Sequence, residues 1–165
     1  MGRLDGKIAL ISGGARGQGA TEANLFAREG AKVVFGDVLD DQGKQVEAEI
    51  HEVGGEALYI HLDVTREADW VSAVETAVSR YGKLDMLVNN AGIGGGGRLE
   101  DTTVEEWDRV MAVNAKGVFL GTKAAIPDMR RAGGGSIINI SSQLGLVGTD
   151  TSSPQYQASK GAVRL

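Results

Sequence analysis

Short apolar runs alternate with longer segments of helical period along the whole chain. The runs are rich in β-branched residues, and most lack a strict polar alternation, as in strands that are covered on both faces. They predict strands at 7–11, 32–36, 56–62, 84–88 and 135–141. The alternation begins at residue 7 and persists to the end, which is the pattern of parallel sheets built from strand–helix–strand units.

Between these runs, apolar residues recur at spacings of three and four and predict helices. The positions that mark three of the helices are Val46, Ile50 and Val53, then Val71, Val74, Val78 and Tyr81, and then Val104, Trp107 and Met111. A longer helix is predicted over 114–131, where Pro127 is expected to bend the last turns. Its apolar stripe consists of Val118, Thr122, Ile126 and Met129. A last helix begins at Tyr156.

The expected fold class is α/β, with one domain over residues 1–165. Right-handed crossovers between parallel strands place helices on both faces of an open sheet, so we predict a Rossmann-like, doubly wound sheet with five strands present. Such folds usually carry six or more strands, which leads us to expect that later strands are missing and that the chain is truncated after the last helix begins. The fifth strand, with Ile137 and Ile138, would then be an unpaired edge.

Composition narrows the class of protein. Glycine accounts for 25 of 165 residues, but there is no Gly-X-Y period and only two prolines occur, which excludes collagen. Hydrophobic residues make up 42% of the chain, which argues against disorder. The net charge is −5, with no basic cluster longer than Arg130-Arg131, so nucleic acid and anionic membranes are not expected partners. The absence of cysteine excludes disulfides and thiolate chemistry.

The sequence also lacks targeting signals. No stretch approaches the ~18 apolar residues that a membrane span needs. Asp5 and a short apolar run argue against a secretory signal, and Gly6 stands where a myristoylation motif needs Ser or Thr. We therefore expect a cytoplasmic protein.

A glycine-rich turn stands between the first strand and the first helix. Its candidate ligand-binding residues are Ser12, Gly13, Arg16, Gly17, Gln18 and Gly19. Glycines let a phosphate approach the backbone, and a helix start offers free N–H groups, so a diphosphate is expected here. The spacing Gly-x-x-x-Gly-x-Gly differs from the commonest dinucleotide fingerprint, and Ala20 replaces the lysine of a nucleoside-triphosphate loop. A glycine-rich turn without a ligand is the alternative.

The end of the second strand supplies a carboxylate. Asp37 lies 20 residues after Gly17, where a carboxylate is expected on the ribose 2′-hydroxyl of a dinucleotide. It would repel a 2′-phosphate, which favours NAD over NADP, whereas Arg16 argues weakly for NADP. Alternatively, Asp37 is only a turn or N-cap residue before the next helix.

Together with these features, later motifs resemble the short-chain dehydrogenase/reductase family. They are the glycine turn with Ser12 in place of the usual threonine, Asp63-Val64 after the third strand, Asn89-Asn90-Ala91-Gly92 after the fourth, Asn114, Ser141-Ser142 after the fifth, and Tyr156-x-x-x-Lys160. The resemblance spans almost the whole chain. Within the family, it leans toward enzymes of alicyclic secondary alcohols and hydroxysteroids.

This resemblance implies a nicotinamide cofactor, a small-molecule alcohol or ketone substrate, and a homodimer or homotetramer built on the helices at 114–131 and 156 onward. The implied catalytic residues are Asn114, Ser142, Tyr156 and Lys160. To the turn residues and Asp37, the implied cofactor-binding set adds Asp63, Val64, Asn90, Ala91, Gly92, Tyr156 and Lys160. Asn114 is further implied to position a water that links Lys160 to solvent.

Two features depart from the family pattern. Ser142 and Tyr156 are 14 positions apart, one more than usual, so either the loop bulges or Ser141 takes the place of Ser142. The four glycines at 94–97 are expected to loosen one wall of the substrate pocket.

The Tyr156–Lys160 pair suggests the chemistry. At a spacing of four residues the two side chains share a helix face, and the ammonium favours the phenolate, which makes Tyr156 a candidate acid/base. It would take the alcohol proton while hydride passes to the nicotinamide, with Ser142 holding the substrate oxygen. Taken alone, the pair would be an ordinary helix surface, Asn114 a helix N-cap, and the serines strand-end polar residues.

Other chemistries fit the sequence less well. A serine hydrolase needs a histidine base, but His51 and His61 are expected far from Ser142 and are interpreted as solvent or packing residues. No His/Asp/Glu cluster has metal-ligand spacing, and Trp70 and Trp107 are interpreted as packing residues. Two functions remain: an NAD-dependent oxidoreductase of secondary alcohols, and a truncated fragment that binds NAD without activity of its own.

Overall fold

The chain forms one five-stranded sheet in which every strand pair is parallel. A computed structural model describes residues 2–165. Its strands are β1 (Ile8–Ser12), β2 (Lys32–Asp37), β3 (Glu56–His61), β4 (Met86–Asn89) and β5 (Ser136–Asn139). Their order in the sheet is β3-β2-β1-β4-β5, which confirms the predicted α/β class and places β1 at the centre.

Within residues 2–165, six α-helices flank the sheet and cover both of its faces. They are α1 (Gly17–Arg28), α2 (Asp40–Glu52), α3 (Glu67–Tyr81), α4 (Val104–Met111), α5 (Gly117–Arg131) and α6 (Pro154–Arg164). A π-helical turn, Ala112–Lys116, joins α4 to α5, and short 3-10 turns lie at Leu99–Asp101 and Gln143–Gly145. None of these helices is long and apolar enough to cross a membrane.

Each face of the sheet has its own apolar core. On one face, Ile11, Phe35 and Ile50 pack together beneath α1 and α2. On the other, Leu10 and Trp70 pack together beneath α3 and α5. Because large apolar side chains are buried on both faces of the sheet, the sequences of the strands are continuous apolar runs.

The parallel register brings the carboxyl ends of the strands to one edge. Pairing aligns Ser12 with Gly36 in β2, and Asn89 with Asn139 in β5. In open sheets of this kind, ligands bind outside the carboxyl ends of the strands, where the strand order reverses. Here the strand order reverses between β1 and β4, so that point lies between these two strands.

The helices differ from the predicted pattern in their buried faces. Trp70 is fully buried in α3, as expected of a packing residue, and its Nε1 donates to the Val64 carbonyl at 3.0 Å. The helix predicted from Val104, Trp107 and Met111 is present as α4, but the interpretation of Trp107 as a packing residue was wrong, since this side chain is 36% exposed. Val104 is 70% exposed, and the buried residue of α4 is Val110.

The predicted helix at 114–131 is one continuous helical run with α4 and the π turn. Its predicted stripe lies beside the core face: Val118, Thr122 and Ile126 line a surface groove, whereas Leu120 and Ala125 are buried. The α-helix continues past Pro127 to Arg131. The last helix starts two residues earlier than predicted, with Pro154 in its first turn, where a missing N–H costs nothing.

Candidate active site

A cavity of about 420 Å³ opens at the carboxyl ends of the strands. Its walls contain most of the residues that the sequence assigned to the cofactor. They are Gly13, Arg16, Gly17, Gln18, Asp37, Asp63, Val64, Asn90, Ala91 and Gly92, together with Val38, Leu39, Leu62, Ile93 and Val113. Ser12 and Gly19 lie behind this wall, buried in the turn.

The shape of the glycine turn depends on residues without side chains. Gly13 and Gly17 have φ angles of 70° and 57°, which other residues rarely adopt. A Cβ on Gly13 would stand 2.7 Å from the Ala91 Cα, and one on Gly19 would collide with the Gly13 carbonyl. Beside Gly17 the space is open, so this residue leaves room for a ligand at the start of α1.

Ser12 and Asn90 hold the two sides of the cavity together. The Ser12 hydroxyl accepts from the Asn90 and Ala91 amides (both 3.2 Å) and lies 3.4 Å from the Val88 carbonyl. The Asn90 side chain donates to the Ser12 and Gly13 carbonyls at 3.0 and 3.1 Å. A hydroxyl at position 12 thus ties the end of β4 to the glycine turn, which explains how serine serves in place of threonine.

Asp37 holds its own turn and also faces the cavity. Oδ1 accepts from the Val38 and Leu39 amides (2.8 and 3.2 Å), and Oδ2 accepts from the Ala15 amide (3.2 Å). This is the turn role that the sequence left open as an alternative. Because a carboxylate has about four acceptor positions, one on Oδ2 stays free for a ligand hydroxyl.

Asp63 lies at the far end of the cavity, after β3. Burial acts to raise its pKa, but two hydrogen bonds from Thr65 to Oδ1 (2.7 and 2.9 Å) and nearby cations outweigh it, so the pKa is lowered overall. The side chain is therefore a carboxylate at neutral pH. Val64 is buried beside it.

Asn114 is fully buried in the π-helical turn, so its interpretation as a helix N-cap was wrong. Its Oδ1 accepts from the Ile93 amide (2.8 Å), while Nδ2 donates to the Ile93 carbonyl (2.9 Å) and to Ser159 Oγ (3.0 Å). It thereby joins the segment after β4 to α6. A π turn inside an α-helix is often found at a functional site.

Tyr156 and Lys160 lie one turn apart on α6. The Lys160 Nζ is 5.8 Å from the centre of the Tyr156 ring and donates to the Ile140 carbonyl at 2.7 Å. Lys160 is buried without a carboxylate partner, and burial lowers its pKa. A Cβ on Gly92 would lie 3.5 Å from both Lys160 Nζ and Asn114 Oδ1, so these groups adjoin the cavity wall.

The two serines after β5 have different partners. The Ser141 hydroxyl donates its proton to the Lys160 carbonyl at 2.8 Å, and this hydrogen bond holds α6 in place. The Ser142 hydroxyl accepts from the Leu144 amide at 3.2 Å, which leaves its proton free to be donated. Of the two serines, Ser142 is therefore the one available to a substrate oxygen.

The loop between Ser142 and Tyr156 is held by a residue that the sequence did not single out. The Gln157 amide accepts from the Thr149 N–H (2.7 Å) and donates to the Thr149 and Ser152 carbonyls (both 2.9 Å). Ser159 was also missed, although its hydroxyl accepts from Asn114 and donates to the Tyr156 carbonyl (2.7 Å). Of these partners only Asn114 is distant in sequence from the residue that it contacts.

The histidines lie away from this cluster. His61 ends β3 at one edge of the sheet, whereas Ser142 follows β5 at the other. His51 lies on α2, where Nε2 is 2.9 Å from the Ala57 carbonyl. Among residues 2–165, no group of three His, Asp or Glu side chains is placed to hold a metal ion.

Comparison with known proteins gives a consistent picture. A family model described as short chain dehydrogenase matches residues 7–165. The chain is 55% identical over 163 residues to a 3-alpha-(or 20-beta)-hydroxysteroid dehydrogenase of Mycobacterium tuberculosis, covering 99% of this chain and 61% of that relative. It is 50% identical over 165 residues to a cyclopentanol dehydrogenase of Comamonas testosteroni, covering 100% of this chain and 66% of the relative.

A third relative is the trans-4-hydroxycyclohexanecarboxylate dehydrogenase of Sinomonas cyclohexanicum, which is 48% identical over 168 residues, covering 98% of this chain and 64% of that protein. The chain thus spans between about three fifths and two thirds of the length of these relatives.

Proposed function

The chain belongs to the short-chain dehydrogenase family, and from this premise we propose that it carries the site of an NAD-dependent oxidoreductase. The proposed reaction interconverts a secondary alcohol and its ketone. The observation that carries the proposal is that Lys160 and Asn114, with Tyr156 beside them, adjoin the Gly92 wall of the cavity at the carboxyl ends of the strands.

The residues present fit such a cofactor. The open space at Gly17 and the free N–H groups at the start of α1 suit a diphosphate. Asp37 has an acceptor position left for a ribose hydroxyl, and Asp63 with Val64 would border the adenine. The segment Asn90–Gly92 would then lie along the nicotinamide half.

Preference for NAD over NADP is part of the proposal. A 2′-phosphate beside Asp37 would meet the charge of a carboxylate already fixed by three backbone amides. Arg16 is exposed at the mouth of the cavity and is the cation that would oppose this preference.

The proposed chemistry assigns one task to each polar group. The Ser142 hydroxyl donates to the substrate oxygen, and Tyr156 takes the proton of the alcohol in the oxidising direction. Lys160, whose Nζ lies 5.8 Å from the centre of the Tyr156 ring, would bind ribose hydroxyls. The bound nicotinamide supplies the acceptor for the hydride that leaves the carbinol carbon.

The proposed substrates are alicyclic or steroid-like alcohols. The support comes from the names of the relatives, which describe dehydrogenases of a hydroxysteroid, cyclopentanol and a hydroxycyclohexanecarboxylate.

We also propose that copies of the chain associate through α5 and α6. A groove of about 590 Å³ lies between these helices and is lined largely by apolar residues. Phe119 in this groove is 61% exposed. Sedimentation that shows only monomers over a range of concentrations would argue against this association.

The test of function is the oxidation of cyclopentanol or cyclohexanol, followed by the absorbance of the reduced cofactor, with NAD and with NADP. Tyr156→Phe should abolish turnover and leave the affinity for NAD nearly unchanged. Tyr81→Phe, which removes a phenol hydroxyl on α3, is the matched control and should keep full activity.

Turnover by Tyr156→Phe at the wild-type rate would refute the mechanism. Binding of NAD by the wild type without turnover on a panel of alicyclic and steroid alcohols would favour the second candidate, a cofactor-binding unit without activity of its own. The structural feature that favours this candidate is the exposure of β5, which pairs only with β4 within the described residues.

A further inference from the structure

Gln155 is a buried amide that the proposed chemistry does not use. It immediately precedes Tyr156 in α6 and is fully buried. Burying an amide is costly unless it finds polar partners, so its surroundings should explain why it is there.

The side chain of Gln155 lies under the glycine segment, defined as Gly94–Gly97. Its Nε2 donates to the Gly96 carbonyl at 3.5 Å, and its Oε1 lies 3.4 Å from the Thr102 hydroxyl. A Cβ on Gly95 would collide with the Gln155 amide, whereas a Cβ on Gly94 would meet nothing within 4 Å. Position 95 is therefore glycine because Gln155 occupies the space beneath it.

The glycine segment is held at further points along its course. Asn114 binds both backbone groups of Ile93 just before it, and the Gly96 amide donates to the Glu106 carboxylate at 2.9 Å. Between these ties the segment runs from the Gly92 wall of the cavity to the start of α6. Through Gln155 it contacts the helix that carries Tyr156.

We propose that Gln155 is a positioning residue that fixes the glycine segment as one wall of the alcohol site, with Gly95 as its fitted partner. This inference rests on the proposed function for the identity of the ligand. Four consecutive glycines have large conformational freedom, and a segment of this composition needs an external restraint to hold a defined shape. The buried amide supplies that restraint from the same helix that carries Tyr156.

Hydrogen exchange of the Gly96 amide tests the restraint without any need for turnover. In Gln155→Ala, protection of this amide should fall about tenfold, which corresponds to the loss of about 1.4 kcal/mol. Gly95→Ala should produce a similar loss because its methyl group displaces the amide. Gly94→Ala is the matched control and should retain protection.

The double variant gives the decisive comparison. If Gln155 and Gly95 act as one unit, Gly95→Ala should cause no further loss of protection in the Gln155→Ala background. Additive losses, about a hundredfold in total, or unchanged protection in Gln155→Ala would overturn the proposal.

Kinetics then test the link to the alcohol site. Gln155→Ala should raise KM for cyclohexanol about tenfold, corresponding to the same loss of restraint, with kcat within about twofold and the affinity for NAD unchanged. A fall in kcat with KM unchanged would overturn the positioning role. If the wild type shows no turnover, the proposed function fails by itself, and the exchange measurements still decide whether Gln155 restrains the segment.

Discussion

Replacement of Gly17 by alanine separates the architecture of the glycine turn from its capacity to bind a ligand. Gly17 has a φ of 57° and no atom within 4 Å of an added Cβ, so the methyl group costs only backbone strain, about 1–2 kcal/mol. The same methyl group would occupy the place of the diphosphate at the start of α1. Gly17→Ala should therefore fold and bind NAD much more weakly.

The magnitude follows from linkage. At a concentration 100 times its dissociation constant, NAD should stabilise the wild type by about 2.7 kcal/mol. Loss of one charge-assisted hydrogen bond weakens binding by about a hundredfold, so the same concentration should stabilise Gly17→Ala by only about 0.4 kcal/mol. The assay is urea unfolding with and without NAD.

Gly54→Ala is the matched control. Gly54 has a φ of 80° and equally open surroundings, but it lies in the turn after α2, away from the cavity. It should show a similar loss of stability and keep the full NAD response. Stabilisation of Gly17→Ala by more than about 2 kcal/mol under these conditions would refute the placement of the diphosphate.

Three further predictions concern other parts of the molecule. Asn114→Ala should lower the free energy of unfolding by about 3 kcal/mol or more, because it breaks three buried hydrogen bonds, and a loss below about 1 kcal/mol in urea unfolding would contradict this. The hydrogen bond to Asp40 raises the pKa of His61, so the stability that this pair contributes is fully present below a pH of about 6.5 and is lost as the pH rises through the folded-state pKa. In an NMR titration, Asp40→Asn should bring the pKa of His61 back toward its ordinary value, and an unchanged titration would argue against the pairing. Ser142→Ala should lower kcat by about 10²-fold or more, whereas Ser141→Ala should mainly cost about 1 kcal/mol of stability, and the reverse pattern would assign the substrate contact to Ser141.

The strands were predictable because both faces of the sheet are buried. A run such as Ile8–Ile11 has no exposed side, so its apolar character marks the strand directly. The predicted bounds differ from the observed ones by at most two residues at either end. At β4 the strand begins two residues later than predicted, although the Asp85 backbone already bonds to Ile8 and Ser136 of the neighbouring strands.

The buried face of α4 could not be predicted from spacing. Val104 and Trp107 have the right spacing for a core face, but the helix rests on α6 and on the π turn instead of on the sheet. The π turn itself has no local signal. Its central residue, Asn114, bonds to Ile93 and Ser159, and only the tertiary fold brings these groups together.

For the candidate site, the sequence located groups whose spacing along the chain is short. The turn at 12–19 lines the cavity, and the Lys160 ammonium lies near the Tyr156 ring, so both contiguous motifs form the local structures that their spacing predicts. The contact of Gln155 with the glycine segment could not be predicted, because its partner, Gly96, precedes it by 59 residues. The role proposed for Gln155 depends on a contact between a loop and a helix, and no local sequence pattern encodes that contact.

The walls of the cavity come from an uninterrupted early part of the chain, whereas the groups proposed for proton transfer come from its last helix. Gly13 to Val113 supply every residue that lines the cavity, and Ser12 with Asn90 already ties its two sides together. Substitutions of Tyr156 or Lys160 that keep α6 folded therefore leave every residue that lines the cavity unchanged, so the cavity and the proton-transfer groups can vary independently in sequence.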